Sequence, residues 1–153
     1  MRENLFRGQA AIAKKWIEGS LLTDEKGRCY IGEYIPLKKS MQITSGRAAG
    51  KTLNRFIGIG LVMVDENTVG QYTGLPDKNG KKIFEGDIVA HFINWLGKRV
   101  NGVVRYDSKI ASWVCCFAYE DKKESAFLAD WVYGNACEIV GNIYDNPELI
   151  TEV

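Results

Sequence analysis

A mainly β fold is predicted, on three observations. From about residue 82 onward, short apolar runs alternate with period two and are separated by turn residues about every eight to twelve positions, the pattern of a small β-barrel or sandwich. FIGIGLVMVD, Phe56 to Asp65, sets Ile57, Ile59, Leu61 and Met63 on one side and Gly58, Gly60, Val62 and Val64 on the other, as a strand would. QYTGLPDKNGKKIFEGDIV, Gln71 to Val89, is dense in turn residues yet ends in apolar alternation. A chain of 153 residues suits one ordinary domain or two small ones sharing a core.

The elements follow in order. QAAIAKKWIEG has helical propensity, with Ile12 and Trp16 four apart. A strand over Lys15 to Leu22 competes with it, followed by a turn at Asp24 to Gly27 and a second strand from Arg28 to Ile35. Residues 36–55 read as loop, punctuated by Pro36, Ser40, Gly46 and Gly50. Asp77-Lys78-Asn79-Gly80 is a turn, because Asp supplies a side-chain acceptor and Asn-Gly tolerates positive φ. Gly86-Asp87 is a second sharp bend, after which Ile88, Ala90 and Phe92 alternate with Val89, His91 and Ile93. Leu96 to Arg99 reads as a hairpin connection, Gly102 to Tyr106 as a strand, Asp107 to Lys109 as a turn and Ser112 to Tyr119 as a strand apolar on both faces. Glu120 to Ser125 reads as a charged turn and Cys137 to Tyr144 as the last strand. Asn146-Pro147-Glu148 opens a helical turn with Asn146 as its cap.

Composition narrows the function classes. A hydrophobic content of 46% with 25% charged residues is globular, and no apolar run approaches a membrane span. With no uninterrupted apolar stretch near the N-terminus, a cytoplasmic location is expected. The net charge of +1 argues against a surface built throughout for polyanions. Yet no acidic residue falls between Glu33 and Asp65, an interval that holds Lys38, Lys39, Arg47, Lys51 and Arg55. A mobile solvated loop is the bland account of that interval, and a phosphate-contacting arm is the sharper one.

Little in the chain points to reaction chemistry. Cys29, Cys115, Cys116 and Cys137 lack a CxxC spacing and read as buried thiols. His91 is the single histidine, so a His-rich metal site is excluded, and nothing places a nucleophile beside it. TSGRAAGKT misses the phosphate-loop spacing, with Ser45 where the first glycine belongs and a strand, not a helix, following. Asp77 to Gly80 resembles the start of a calcium loop, but glycine arrives too early and Lys78, Lys81 and Lys82 would repel the cation. No enzyme, cofactor or metal is expected.

Four segments closely resemble the YopX family of phage and prophage proteins: Gln71 to Val89, LFRG at Leu5 to Gly8, KKWIEGSL at Lys14 to Leu21, and VGNIYDNPELI at Val140 to Ile150. The resemblance implies a phage-encoded protein without established catalytic residues, whose C-terminal part is a small Src-homology-3-like antiparallel barrel. It also favours an extended KKWIEGSL over a helical one. The expected organisation is an N-terminal β-rich region over 1–67, with a mobile basic loop at about 36–56, and a small barrel over 68–153. Within it Asp77, Asn79, Gly80, Gly86 and Asp87 form a structural turn motif, the Asp87 carboxylate accepting backbone N–H bonds at the bend. The expected function is a binding or assembly module with an unknown protein partner or a homo-oligomer. The alternative is nucleic-acid binding through residues 38–55, with Trp95 or Trp113 stacking on bases.

Overall fold

The structure is a computed structural model that describes residues 4–36, 41–42, 52–53, 57–93, 97–119, 122–133 and 137–150. In chain order the strands are β1 (Phe6–Gln9), β2 (Trp16–Thr23), β3 (Cys29–Pro36), β4 (Met41–Gln42), β5 (Thr52–Leu53), β6 (Ile57–Val64), β7 (Gly70–Pro76), β8 (Lys82–Phe84), β9 (Asp87–Ile93), β10 (Lys98–Asp107), β11 (Ser112–Tyr119) and β12 (Lys122–Phe127). The short helix α1 (Leu128–Val132) and strand β13 (Glu138–Asn142) follow. Two 3-10 turns lie at Glu66–Thr68 and Pro147–Leu149. The fold is mainly β, with two large antiparallel sheets ordered β6-β3-β2-β1-β7-β8 and β12-β11-β10-β9-β13, and a separate β4-β5 pair.

The N-terminal segment is extended, not helical. Its β2–β3 hairpin is fixed locally, because Asp24 Oδ1 accepts the N–H groups of Lys26 and Arg28 at 3.0 and 2.9 Å and so nucleates the turn. β6 lies last in its sheet yet returns to the end of β1. Ala10 bridges Val64, Ala11 N–H donates to Met63 O at 3.0 Å, and Asp65 N–H donates to Gln9 O at 2.9 Å. The curl encloses a small core of Ala10, Ile17, Ile31 and Val64.

β10 organises the second sheet by changing partner. Its first half, Lys98 to Val103, pairs with β9, and its second half, Val103 to Asp107, pairs with β11. Gly102 sits at the change, where a Cβ would lie 2.9 Å from the Trp131 ring of α1. The larger core gathers here, from Val89 and Ile93 of β9, Val104 of β10, Trp113, Cys115 and Phe117 of β11, and Leu128 and Trp131 of α1. Ile83 of β8 joins it, so the two sheets share packing.

Several expectations need correction. The five strands of the second sheet do not close into a barrel among the described residues: β12 and β13 are its edges. β7 pairs with β1 through Phe6↔Gln71 and Arg7↔Gly70, and β8 pairs with β7. Lys122 to Ser125 belong to a strand, not a turn, since pairing with β11 in register from Val114↔Phe127 to Tyr119↔Lys122 outweighs their weak strand propensity. The helix α1 was not read from the sequence. Asn146 makes no side-chain cap bond; Asn142 Oδ1 instead accepts from the N–H groups of Tyr144 and Asp145 at 3.0 and 2.9 Å. Of the four free cysteines, Cys115 and Cys137 are buried, whereas Cys29 and Cys116 are only half-buried because their strand faces are partly open.

Candidate functional site: the junction between the sheets

The bend from β8 into β9 brings the two sheets together. Gly86 takes φ 82°, a conformation that side-chain-bearing residues adopt at a cost. Its N–H donates to Val104 O at 2.9 Å and its carbonyl accepts from Ile143 N–H at 2.9 Å, so one turn residue touches β10 and the segment after β13. Asp87 follows, 1% exposed, with Oδ2 accepting the Phe84 N–H at 2.8 Å and Oδ1 paired to the Arg7 guanidinium from β1. Burial pushes the Asp87 carboxyl above the ordinary carboxylate range, and the Arg7 charge and Phe84 N–H pull it back only in part.

Arg7 is itself enclosed. Its guanidinium carbon lies 4.8 Å from the Trp16 ring centroid and 4.9 Å from that of Phe84, a cation between two aromatic faces. Phe84 packs on Tyr72 at 5.6 Å, and Trp16 packs on Tyr144 at 5.9 Å. Trp16 Nε1–H donates to Asp145 Oδ2 at 2.7 Å. Asp145 also accepts from Asn142 Nδ2 at 2.9 Å and Gln9 Nε2 at 3.3 Å, and these bonds hold its carboxyl below the usual range. The group is a clamp: one buried ion pair, an aromatic sleeve and a carboxylate latch join β1, β2, β8, β9 and the chain after β13.

The turn at Asp77 is a second point of attachment. Gly80 has φ 78°. Asp77 Oδ1 accepts the N–H groups of Asn79 and Lys81 at 2.8 and 2.9 Å, and Oδ2 accepts that of Ile139 in β13 at 3.2 Å. Burial raises the Asp77 carboxyl, but these backbone donors outweigh it and hold the group below the usual range. Lys78 N–H donates to Cys137 O at 2.9 Å, and Lys78 Nζ reaches Glu138 at 2.7 Å, where Arg99 also pairs at 2.9 Å. The hairpin turn thus docks on the far sheet.

Of the residues singled out in sequence, Asp77, Asn79, Gly80, Gly86 and Asp87 all sit in these two turns. Lys38, Lys39, Arg47, Lys51 and Arg55 lie outside the described residues, as does Trp95. Arg7, Phe84, Tyr144 and Asp145 were not singled out, and Trp16 was noted only for its spacing from Ile12. Each of the five falls within a segment that carries the family resemblance, and the fold brings all four segments to one place.

Reactive groups are muted. Cys115 is raised by burial far beyond the ordinary thiol range, and burial pushes Cys137 up to about 12. His91 stacks on Trp131 at 5.2 Å, and burial lowers its pKa. Among the described residues no three metal-ligating side chains gather, and no helix is long and apolar enough to cross a membrane. A cleft of about 190 Å³ opens beside Gly86, with Glu85, Arg105 and Tyr144 on its walls.

No curated protein sequence matches the chain. Among solved structures it is similar to the crystal structure of protein EF1440 from Enterococcus faecalis, with 23% sequence identity, 98% of this chain and 99% of that chain covered, and a TM-score of 0.48. The model of the YopX protein family matches residues 5–151, nearly the whole chain, and the chain belongs to that family.

Proposed function

We propose that the protein is a phage- or prophage-encoded accessory protein that works in the host cytoplasm as a non-enzymatic binding or assembly module. One observation carries this reading: the buried charges at the junction of the two sheets are consumed in a closed clamp. Both Asp87 oxygens are engaged and Arg7 is sleeved by Trp16 and Phe84, an arrangement suited to holding two sheets in fixed relation rather than to proton transfer. Exposed aromatic side chains such as Phe92, Tyr106 and Phe127 on the second sheet are the kind of surface that partners cover. The second sheet is read as a variant of the Src-homology-3-like barrel. The partner change along β10 supports this, since small barrels turn their corners on such strands.

The test is affinity purification of the tagged protein from phage-infected or prophage-bearing cells, with and without nuclease, beside sedimentation of the pure protein. A stoichiometric protein partner, or a stable homo-oligomer, that survives nuclease is the expected result. Loss of the partner on nuclease treatment, with a steep salt dependence of binding to DNA or RNA, would favour nucleic-acid binding through residues 38–55 instead.

A further inference from the structure

The second sheet has an outer face, turned away from its larger core, and the chain after β13 crosses it. Asn101 Nδ2 donates from that face to Leu149 O at 3.0 Å. Asn101, Val103 and Arg105 lie on it together, because alternate residues of a strand share a side. The cleft of about 190 Å³ beside Gly86 lies where this face meets the bend and the first sheet. Arg105, Glu85, Tyr144, Ile143 and Val69 are among the residues that line it. Tyr144 stands over the bend, since a Cβ at Gly86 would come 3.2 Å from its ring.

Two opposite charges reach this cleft uncommitted. Arg105 is exposed and makes no ion pair among the described residues. Half-buried Glu85 makes none there either. Glu85 Oε1 accepts from Tyr106 N–H at 3.4 Å, a long bond that leaves most of the carboxylate's acceptor capacity open. Both charges act on the Tyr144 hydroxyl: burial raises its pKa, Glu85 raises it further, and Arg7 and Arg105 pull it down. The neighbouring charges are spent. Arg7 is held by Asp87, Asp145 by Trp16 and Asp65 by Asn67.

This pair selects a ligand class. A simple anion drawn to Arg105 would meet the Glu85 carboxylate, and a simple cation drawn to Glu85 would meet the Arg105 guanidinium. A molecule with one charge of each sign satisfies both. The Tyr144 hydroxyl can donate to its carboxylate or accept from its ammonium. The volume sets the size, because pockets for drug-sized ligands begin at about 300 Å³. Half-buried Val69 and Ile143 offer apolar contact to a short side chain.

We propose that this cleft binds a small zwitterion, an α-amino acid with a short side chain, its carboxylate on Arg105 and its ammonium on Glu85. The site needs no protein partner and so goes beyond the role of a binding or assembly module.

The test is a titration of the full chain followed by amide NMR, with L-alanine, L-alaninamide and L-lactate as probes. Alaninamide keeps the shape of alanine without the carboxylate, and lactate replaces the ammonium by a hydroxyl. L-alanine should give saturable shifts of the Gly86, Arg105 and Tyr144 amides, with an affinity at least tenfold above that of either other probe. Arg105→Gln, at an exposed site, should weaken alanine binding at least tenfold and leave alaninamide binding unchanged. Arg105→Lys keeps the charge and should retain most of the alanine affinity. Glu85→Gln should weaken alanine binding at least tenfold and leave lactate binding unchanged, and thermal melts establish that each variant is folded. Absence of saturation, equal response to the three probes, shifts confined to other residues, or unaltered alanine binding in folded Arg105→Gln would overturn the proposal.

Discussion

The two sheets reach stability by different means. The first sheet packs backbone against backbone. A Cβ at Gly19 would lie 2.0 Å from the Gly32 carbonyl oxygen, one at Gly8 would lie 3.0 Å from the Val64 side chain, and among the described residues the enclosed core is built on Ala10, Ile17, Ile31 and Val64, none of them aromatic. The second sheet packs large side chains. Trp131 stacks on His91 at 5.2 Å and meets Phe117 at 5.4 Å, and Trp113 meets Tyr106 edge-on at 5.1 Å. The first sheet should therefore be intolerant of added volume and the second of removed volume. The Arg7–Asp87 clamp belongs to both, because Arg7 comes from β1 and Asp87 opens β9.

Breaking the clamp should have the largest effect. Arg7→Leu leaves the Asp87 carboxylate buried without its counter-charge, a change that typically costs about 3–5 kcal/mol. Urea denaturation at neutral pH measures it, and Arg7→Leu with Asp87→Leu should recover much of the loss, since removing both charges removes the orphan. The pH dependence has a definite sign. The folded Asp87 carboxyl is raised above its unfolded value, so it holds its proton more readily when folded, and its contribution to stability declines as pH rises above about 3.9. Without Arg7 that pKa rises further, so the deficit of Arg7→Leu should grow from acid toward neutral pH. A deficit that stays flat with pH would mean that Asp87 is not the orphaned group.

The two packing modes are separated by the next pair of variants. Trp131→Ala should cost about 3–5 kcal/mol by opening a cavity against Phe117 and His91. Gly19→Ala should cost about 2–3 kcal/mol through overpacking, because the obstacle is a backbone oxygen that no rotamer change can move. Thermal melts of both, with amide exchange to locate the damage, check the comparison. If Gly19→Ala is neutral, the β2–β3 pair is looser than the register implies.

Val114 tests the face of β11 that looks away from the larger core. It is 6% exposed, and Val114→Asp should cost several kcal/mol, since an unpaired carboxylate is costly to bury. Unchanged melting and unchanged sedimentation would show that this face meets water.

The smallest effect is expected at the Asp77 turn. Asp77→Asn keeps an acceptor for Asn79 and Lys81 but turns an amide donor toward the Ile139 N–H, a loss of about 1–2 kcal/mol. The wild-type carboxyl is lowered on folding, so its contribution is present at neutral pH and is lost as pH falls below its unfolded value of about 3.9. Asp77→Asn should flatten that part of the acid limb, and an unaltered limb would show that the turn carboxylate adds nothing to acid stability.

The sequence by itself determined what is local. The Asp77 to Gly80 turn and the Asp87 carboxylate bonded to a backbone N–H rest on side chains reaching neighbours a few residues away, the positive φ at Gly80 and Gly86 on the absence of a Cβ, and the strands over 57–64 and 112–119 on the period of their apolar residues. The competing helix at QAAIAKKWIEG was settled in favour of strand by the resemblance, not by propensity, and the register of β2 with β1 and β3 agrees. Tertiary structure decided what is distant. Trp16 and Asp145 are 129 residues apart, and no local pattern records that Nε1–H finds that carboxylate. Lys122 to Ser125 have the composition of a turn and become a strand because β11 supplies an edge to pair with. β7 and β8 join the first sheet because β1 presents the edge that Gln71 and Gly70 pair with. Local turns are encoded by side chains that satisfy their own backbone, whereas sheet membership and the clamp depend on which open edges and buried charges meet once the chain has collapsed.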